Sequence, residues 1–155
     1  MTRARFSFTS TWQVAASADR VFDVLADVGA YPAWWPQVRA VARVDERTAL
    51  VVCRSALPYE LDLLLTRRRE ERGTGVLEAG LAGDLDGWSR WTLHPRGTGT
   101  TLLYEQEVGV RSRLARAARW ARPVLEANHA WMMRGGRVGL QARTWSGQER
   151  SSAGR

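Results

Sequence analysis

The chain offers few groups for covalent chemistry. It has two histidines, His94 and His129, far apart in sequence, and one cysteine, Cys53. A metal site would need a carboxylate constellation around them that the spacing does not supply. A single cysteine makes no internal disulfide and is too few for a thiolate metal site. Set mid-strand among valines, Cys53 reads as a small buried hydrophobe. No G-x-G-x-x-G, G-x-x-x-x-G-K or H-E-x-x-H motif is present, so neither a cofactor nor a bound metal is expected. No G-x-S-x-G elbow supports a serine nucleophile. Hydrolytic and redox chemistry are disfavoured on these grounds.

What remains is the chemistry of a pocket, apolar walls with a few polar groups. Asn128 sits amid the apolar positions of the last helical segment, where a buried amide needs partners from the sheet, from water or from a ligand. His129 lies at the edge of that face, either solvated or as an acid–base group. Trp34 and Trp35 fall where short helices would cover one end of a cavity, one plugging the core and the other forming a lid or stacking on an aromatic ligand. Tyr59, Trp91, Tyr104, Trp131 and Met132 are the further candidates to line it, with core packing as the alternative for each aromatic.

The elements that would position these residues follow from periodicity. Residues 6–14 alternate Phe6, Phe8, Ser10, Trp12 and Val14 on one face and read as a strand. Ser17 then caps a helix with Val21, Phe22, Leu25 and Val28 at helical spacing and Asp19 in its first turn. Gly29 ends it, and Pro32 and Pro36 bracket one short turn around Trp34 and Trp35. Residues 38–110 hold six strand runs separated by short turn signals. In the last run Leu102, Tyr104, Gln106 and Val108 share one face. Strands joined this closely pair as antiparallel neighbours. Ser112 opens a long helix in which Pro123 marks a kink or a restart, and residues 147–155 form a disordered polar tail. The expected class is α+β: a curved seven-stranded antiparallel sheet wrapped around a long C-terminal helix, with two short helices between strands 1 and 2. Such a sheet curls, and the long helix alone has the face to close its concave side.

At 155 residues the chain is one domain's worth, placed at residues 1–146. With 45% apolar and 25% charged residues it is neither a disordered, a coiled-coil nor a collagenous chain. No run of apolar residues is long enough for a membrane span or a signal peptide, so no stable membrane insertion is expected and the location is read as cytoplasmic. The net charge of +7 is carried wholly by the C-terminal end. Residues 1–110 hold 13 arginines against 14 acids, whereas residues 111–155 hold 10 arginines against Glu126 and Glu149. On a helix, Arg116, Arg119, Arg122, Arg134 and Arg137 fall on one side. Leu114, Ala117, Ala121, Val124, Leu125, Trp131, Met132 and Val138 fall on the other. The arginines form either a solvated outer face, the simpler reading, or a surface for a partner protein or anionic lipid. No aromatic residues alternate with them, so nucleic acid is not expected.

The stretches ADRVFDVLADVGAYPAWWPQV (residues 18–38), LAGDLDGWSRWTLHPRGTGTTLLYE (81–105) and NHAWMMRGGRVGL (128–140) resemble the SRPBCC or START-like superfamily with its helix-grip fold, and within it the polyketide cyclase/dehydrase family. The likeness covers nearly the whole chain. It implies binding of a small hydrophobic molecule, lipid-like or a polycyclic aromatic polyketide, between sheet and C-terminal helix, by a monomer or homodimer. The alternative it implies is a polyketide-type aromatase/cyclase acting on a poly-β-ketone. Members with that activity use an inward arginine on a central strand, and Arg67 falls near the matching position. No catalytic residue is assigned; Arg67, His94 and His129, with Tyr59 beside them, are the candidates.

Overall fold

The computed structural model of the chain describes residues 5–55, 60–110 and 112–152, with side chains in the last helix described for residues 122–145. Strand β1 (Arg5–Val14) leads to helix α1 (Ala18–Ala26), where the Ser17 hydroxyl accepts from the Arg20 backbone N–H at 3.3 Å and Asp19 lies in the first turn. Val21, Phe22 and Leu25 bury the apolar face of α1. The helix stops at Ala26, ahead of Val28, and a 3₁₀ turn (Val28–Ala30) feeds the single turn of α2 (Tyr31–Trp34). Six strands follow: β2 (Val38–Arg43), β3 (Thr48–Arg54), β4 (Glu60–Glu71), β5 (Val76–Gly83), β6 (Leu85–Arg96) and β7 (Gly99–Val110). Helix α3 (Ser112–Ser152) is one continuous run with Pro123 inside it, and it extends past residue 146, where the sequence places the end of the domain.

The strands form one antiparallel sheet in the order β1-β7-β6-β5-β4-β3-β2. It is a meander whose last strand returns to pair with the first, Phe6 opposite Val108 and Trp12 opposite Leu102. Alternation sorts the residues by face, so Trp91, Leu93, Leu102 and Tyr104 are buried on the concave side while His94 is exposed on the other. At the β5–β6 corner Gly83 has φ +107°, and a Cβ there would stand 2.4 Å from the Asp62 carbonyl oxygen. Only glycine fits this bend in the sheet. The architecture is the expected helix-grip fold.

The rotation of α3 about its axis departs from the expectation. A Cβ on Gly139 would lie 1.7 Å from the Trp34 carbonyl oxygen, one on Gly136 2.6 Å from the Trp35 indole, and one on Gly135 2.0 Å from Gln37 Oε1. The helix backbone therefore lies directly on the segment from Trp34 to Gln37. Trp35 Nε1–H donates to the Met132 carbonyl at 2.9 Å, and Arg20 Nε–H to the Thr144 carbonyl at 3.1 Å. With the glycines turned inward, Asn128, Met133, Leu140 and Thr144 are buried while Val124, Trp131, Val138 and Trp145 are exposed. The sequence grouping, with Val124, Trp131 and Val138 on the buried face and Arg134 and Arg137 on the opposite one, is thus corrected: all five are exposed. Hydrophobicity summed around the helix does not weigh the contact that only glycine permits.

This contact sets up a test. Alanine in place of an exposed helical glycine gains about 1 kcal/mol of helix propensity. Gly139→Ala instead forces apart two backbones, and overpacking of this kind costs about 1–3 kcal/mol. We expect Gly139→Ala to lower the urea midpoint, where the propensity gain alone would raise it; Ala142→Gly, at an exposed site, gauges the size of that gain.

Candidate functional site

Between the concave face and α3 lies a cavity of about 660 Å³, the size of a site for a drug-sized molecule. One end is shut by aromatic packing. Trp12 meets Trp91 edge-on at 4.9 Å, Trp91 meets Tyr104 at 4.5 Å, and Trp34 stacks on Trp35 at 5.5 Å with Tyr31 against both. Aromatic pairs in such arrangements add roughly 0.5–1.5 kcal/mol each beyond their buried area. The walls are leucines and valines of β3, β4 and β5, among them Val51, Leu61, Leu63 and Leu77. The rim is charged, formed by Asp27, Arg43, the Asp45–Thr48 turn, Arg67 and Arg69.

Among the described residues, a cluster of polar groups interrupts the apolar lining. Tyr104 donates its hydroxyl proton to Gln106 Oε1 at 2.6 Å, and His129 Nε2 lies 3.3 Å from the same oxygen. An amide oxygen only accepts, so the His129 proton sits on Nε2 and Nδ1 keeps its lone pair. Phe8 stacks on the imidazole at 3.9 Å, fixing the ring plane. Burial pushes the His129 pKa down to about 4, so the ring is neutral at physiological pH. Burial likewise raises the Tyr104 hydroxyl, which stays protonated, and pushes the Cys53 thiol up to about 12. Cys53 is therefore a buried hydrophobe, not a nucleophile. Beside this cluster Ser55 Oγ donates to Asn128 Oδ1 at 3.4 Å, which ties α3 to the end of β3.

The structure brings together most of the residues expected at a site. Trp35, Trp91, Tyr104, Asn128, His129 and Met132 all line the cavity. Trp34 packs behind Trp35 in the core rather than in the lining. Trp131 does not line the cavity, because the helix rotation turns it to solvent. Arg67 stands at the rim, paired with Glu70 at 2.6 Å, where β4 carries a bulge between Arg67 and Arg69. His94 is exposed on the outer face, away from the cavity. Tyr59 lies outside the described residues, as do the side chains of Arg116 and Arg119. Sequence reasoning passed over Gln106, Ser89 and Phe8, all three of which line the cavity. The signal for Gln106 was its place in phase with Tyr104, and for Phe8 its place in phase with Trp12.

A pH dependence follows for His129. Its folded pKa is below the ordinary histidine value of 6.5, so between about pH 6.5 and 4 the unfolded chain binds the extra proton. Its contribution to stability is fully present above that window and is lost as the pH drops through it. The shift corresponds to about 3 kcal/mol. Thermal unfolding from pH 7 to 4 should show His129→Leu losing less stability than the unaltered chain, and parallel profiles would contradict the assignment.

Comparison with known proteins bears on this geometry. Residues 14–132 match the family model described as polyketide cyclase / dehydrase and lipid transport. Among solved structures, the Zhui aromatase/cyclase from Streptomyces sp. R1128 superimposes with a TM-score of 0.77 at 17% identity, covering 91% of this chain and 94% of that one. A START superfamily protein from Mycobacterium smegmatis gives 0.71 at 18% identity, over 90% and 97%. A protein from Thermus thermophilus gives 0.77 at 15% identity, over 92% and 99%. At such identities the likeness is one of fold. No curated protein matches the chain. With the family model spanning most of the sheet, both short helices and the cavity-lining part of α3, the chain belongs to the polyketide cyclase / dehydrase and lipid transport family.

Proposed function

We propose that the chain binds a small, largely hydrophobic molecule in the cavity, with a hydroxyl of that molecule donating to His129 Nδ1. The observation that carries this reading is the polar cluster of Tyr104, Gln106 and His129 among the mainly apolar walls of a chamber of about 660 Å³. Burying apolar ligand surface there is worth roughly 25 cal/mol per Å² before the costs of association. The cluster adds direction: Gln106 Oε1 accepts the hydrogen bond from Nε2–H, and the remaining acceptor on the ring is Nδ1. A hydroxyl of a lipid-like or polycyclic aromatic molecule satisfies it, whereas a hydrocarbon leaves it bare.

The aromatase/cyclase reading asks for acid–base groups converging on one ligand position. Of its candidates among the described residues, only His129 faces the interior; Arg67 is held at the rim and His94 is outside. Simple binding is the better supported reading.

Titration with 2-naphthol and with naphthalene tests it. The chain should bind both, 2-naphthol roughly fivefold tighter, the worth of one neutral hydrogen bond. His129→Leu should remove that preference and keep naphthalene binding. Failure of both probes would overturn the cavity reading, and equal binding of the two by the unaltered chain would overturn the role of His129.

A further inference from the structure

Helix α3 turns an apolar stripe away from the sheet. Val124, Trp131, Val138 and Trp145 recur every seven residues and are 46%, 41%, 61% and 56% exposed. Seven residues make two turns, so the four lie along one line that spans about 30 Å at 1.5 Å per residue. Ala127 and Ala142 are exposed on the same side. The chain buries Trp12, Trp34, Trp35 and Trp91, so leaving two large indoles half in water on one helix face is a departure within this molecule.

The stripe is flanked by positive charge. At about 100° per residue Arg134 stands about 60° around the helix from Trp131 and Arg137 about 100° from Val138, both are exposed, and residues 127–145 contain no Asp or Glu. The nearest acid in sequence, Glu126, is paired with Arg122 at 3.2 Å. A second copy docked along this line would set arginines against arginines with no acid between them, an unfavourable arrangement at close range. An anionic bilayer supplies what both features lack. Indoles settle at the headgroup level, valines reach the acyl boundary, and arginines extend along the surface to lipid phosphates.

We propose that the outer face of α3 docks the protein on an anionic lipid bilayer, with the Val124–Trp145 stripe lying in the interface and Arg134 and Arg137 on lipid phosphates. The contact is peripheral: no described helix is long and apolar enough to cross a membrane. It is independent of what the cavity holds, since the stripe lies on the opposite side of the helix from Met133 and Leu140.

Co-sedimentation of the full chain with vesicles tests this, comparing phosphatidylcholine mixed with phosphatidylglycerol against phosphatidylcholine alone, at low and high salt. We expect binding to the anionic vesicles only, weakened by salt, with a blue shift of tryptophan emission. Arg134→Gln with Arg137→Gln should weaken binding about thirtyfold, at the usual worth of an arginine near an anionic surface. Trp131→Ser with Trp145→Ser should abolish the blue shift while leaving the melting temperature and naphthalene binding in place. No binding to anionic vesicles at low salt, equal binding to both vesicle types, or a dimer in solution that the tryptophan variant dissolves would each overturn the proposal.

Discussion

The close approach of α3 to the segment from Trp34 to Gln37 governs much of this molecule. Three glycines remove the side chains that would hold the helix off, and the Trp35 indole reaches the Met132 carbonyl across the gap. A long helix over a curved sheet can roll about its axis, because leucines and methionines pack acceptably at many angles. Backbone contact permits only one setting. That setting directs Asn128, His129 and Met132 into the cavity and turns Val124, Trp131, Val138 and Trp145 out. At this junction Trp34 Nε1 and Gln37 Oε1 are buried with no hydrogen-bond partner among the described residues.

The cavity exists because aromatic bulk is concentrated at one end. Trp12, Trp34, Trp35, Trp91 and Tyr31 interlock where the short helices cross the sheet. Towards the rim the same faces carry shorter side chains, Val51, Leu63, Leu65 and Ala79, which line the space without filling it. The polar cluster survives there because Gln106 satisfies two donors at once. A neutral histidine is the form a low-dielectric chamber favours, and Phe8 and Gln106 together hold its ring and its tautomer.

Much of the fold was legible from local rules. The Ser17 cap, the two prolines, the turn signals and the period-two strands led to the right elements in the right order, because each depends on neighbours a few residues away. Boundaries were less so. The first helix ends before Val28, and α3 passes through Pro123 without a break. The site was half legible. Trp35, Trp91, Tyr104, Asn128, His129 and Met132 line the cavity, Trp91 and Tyr104 through strand alternation and the last three through the helical face. Trp34 lies in the core instead and Trp131 in solvent, the latter because apolar character alone does not decide burial on a helix whose roll is set by glycines.

By itself the sequence determined the element order, the curled antiparallel sheet, the family likeness and the basic end of the chain. The first two and the last rest on periodicity, turn chemistry and composition, and the likeness on the motifs in residues 18–38, 81–105 and 128–140, all local or additive properties. The tertiary structure alone decided which side of α3 faces the sheet, that Gln106 and His129 share an oxygen, that His94 and Arg67 stand apart from it, and that two tryptophans face solvent. The physical reason is sequence distance: Trp34 and Gly139, or Phe8 and His129, lie more than a hundred residues apart. Contacts of that range form only when the whole sheet has closed around the helix.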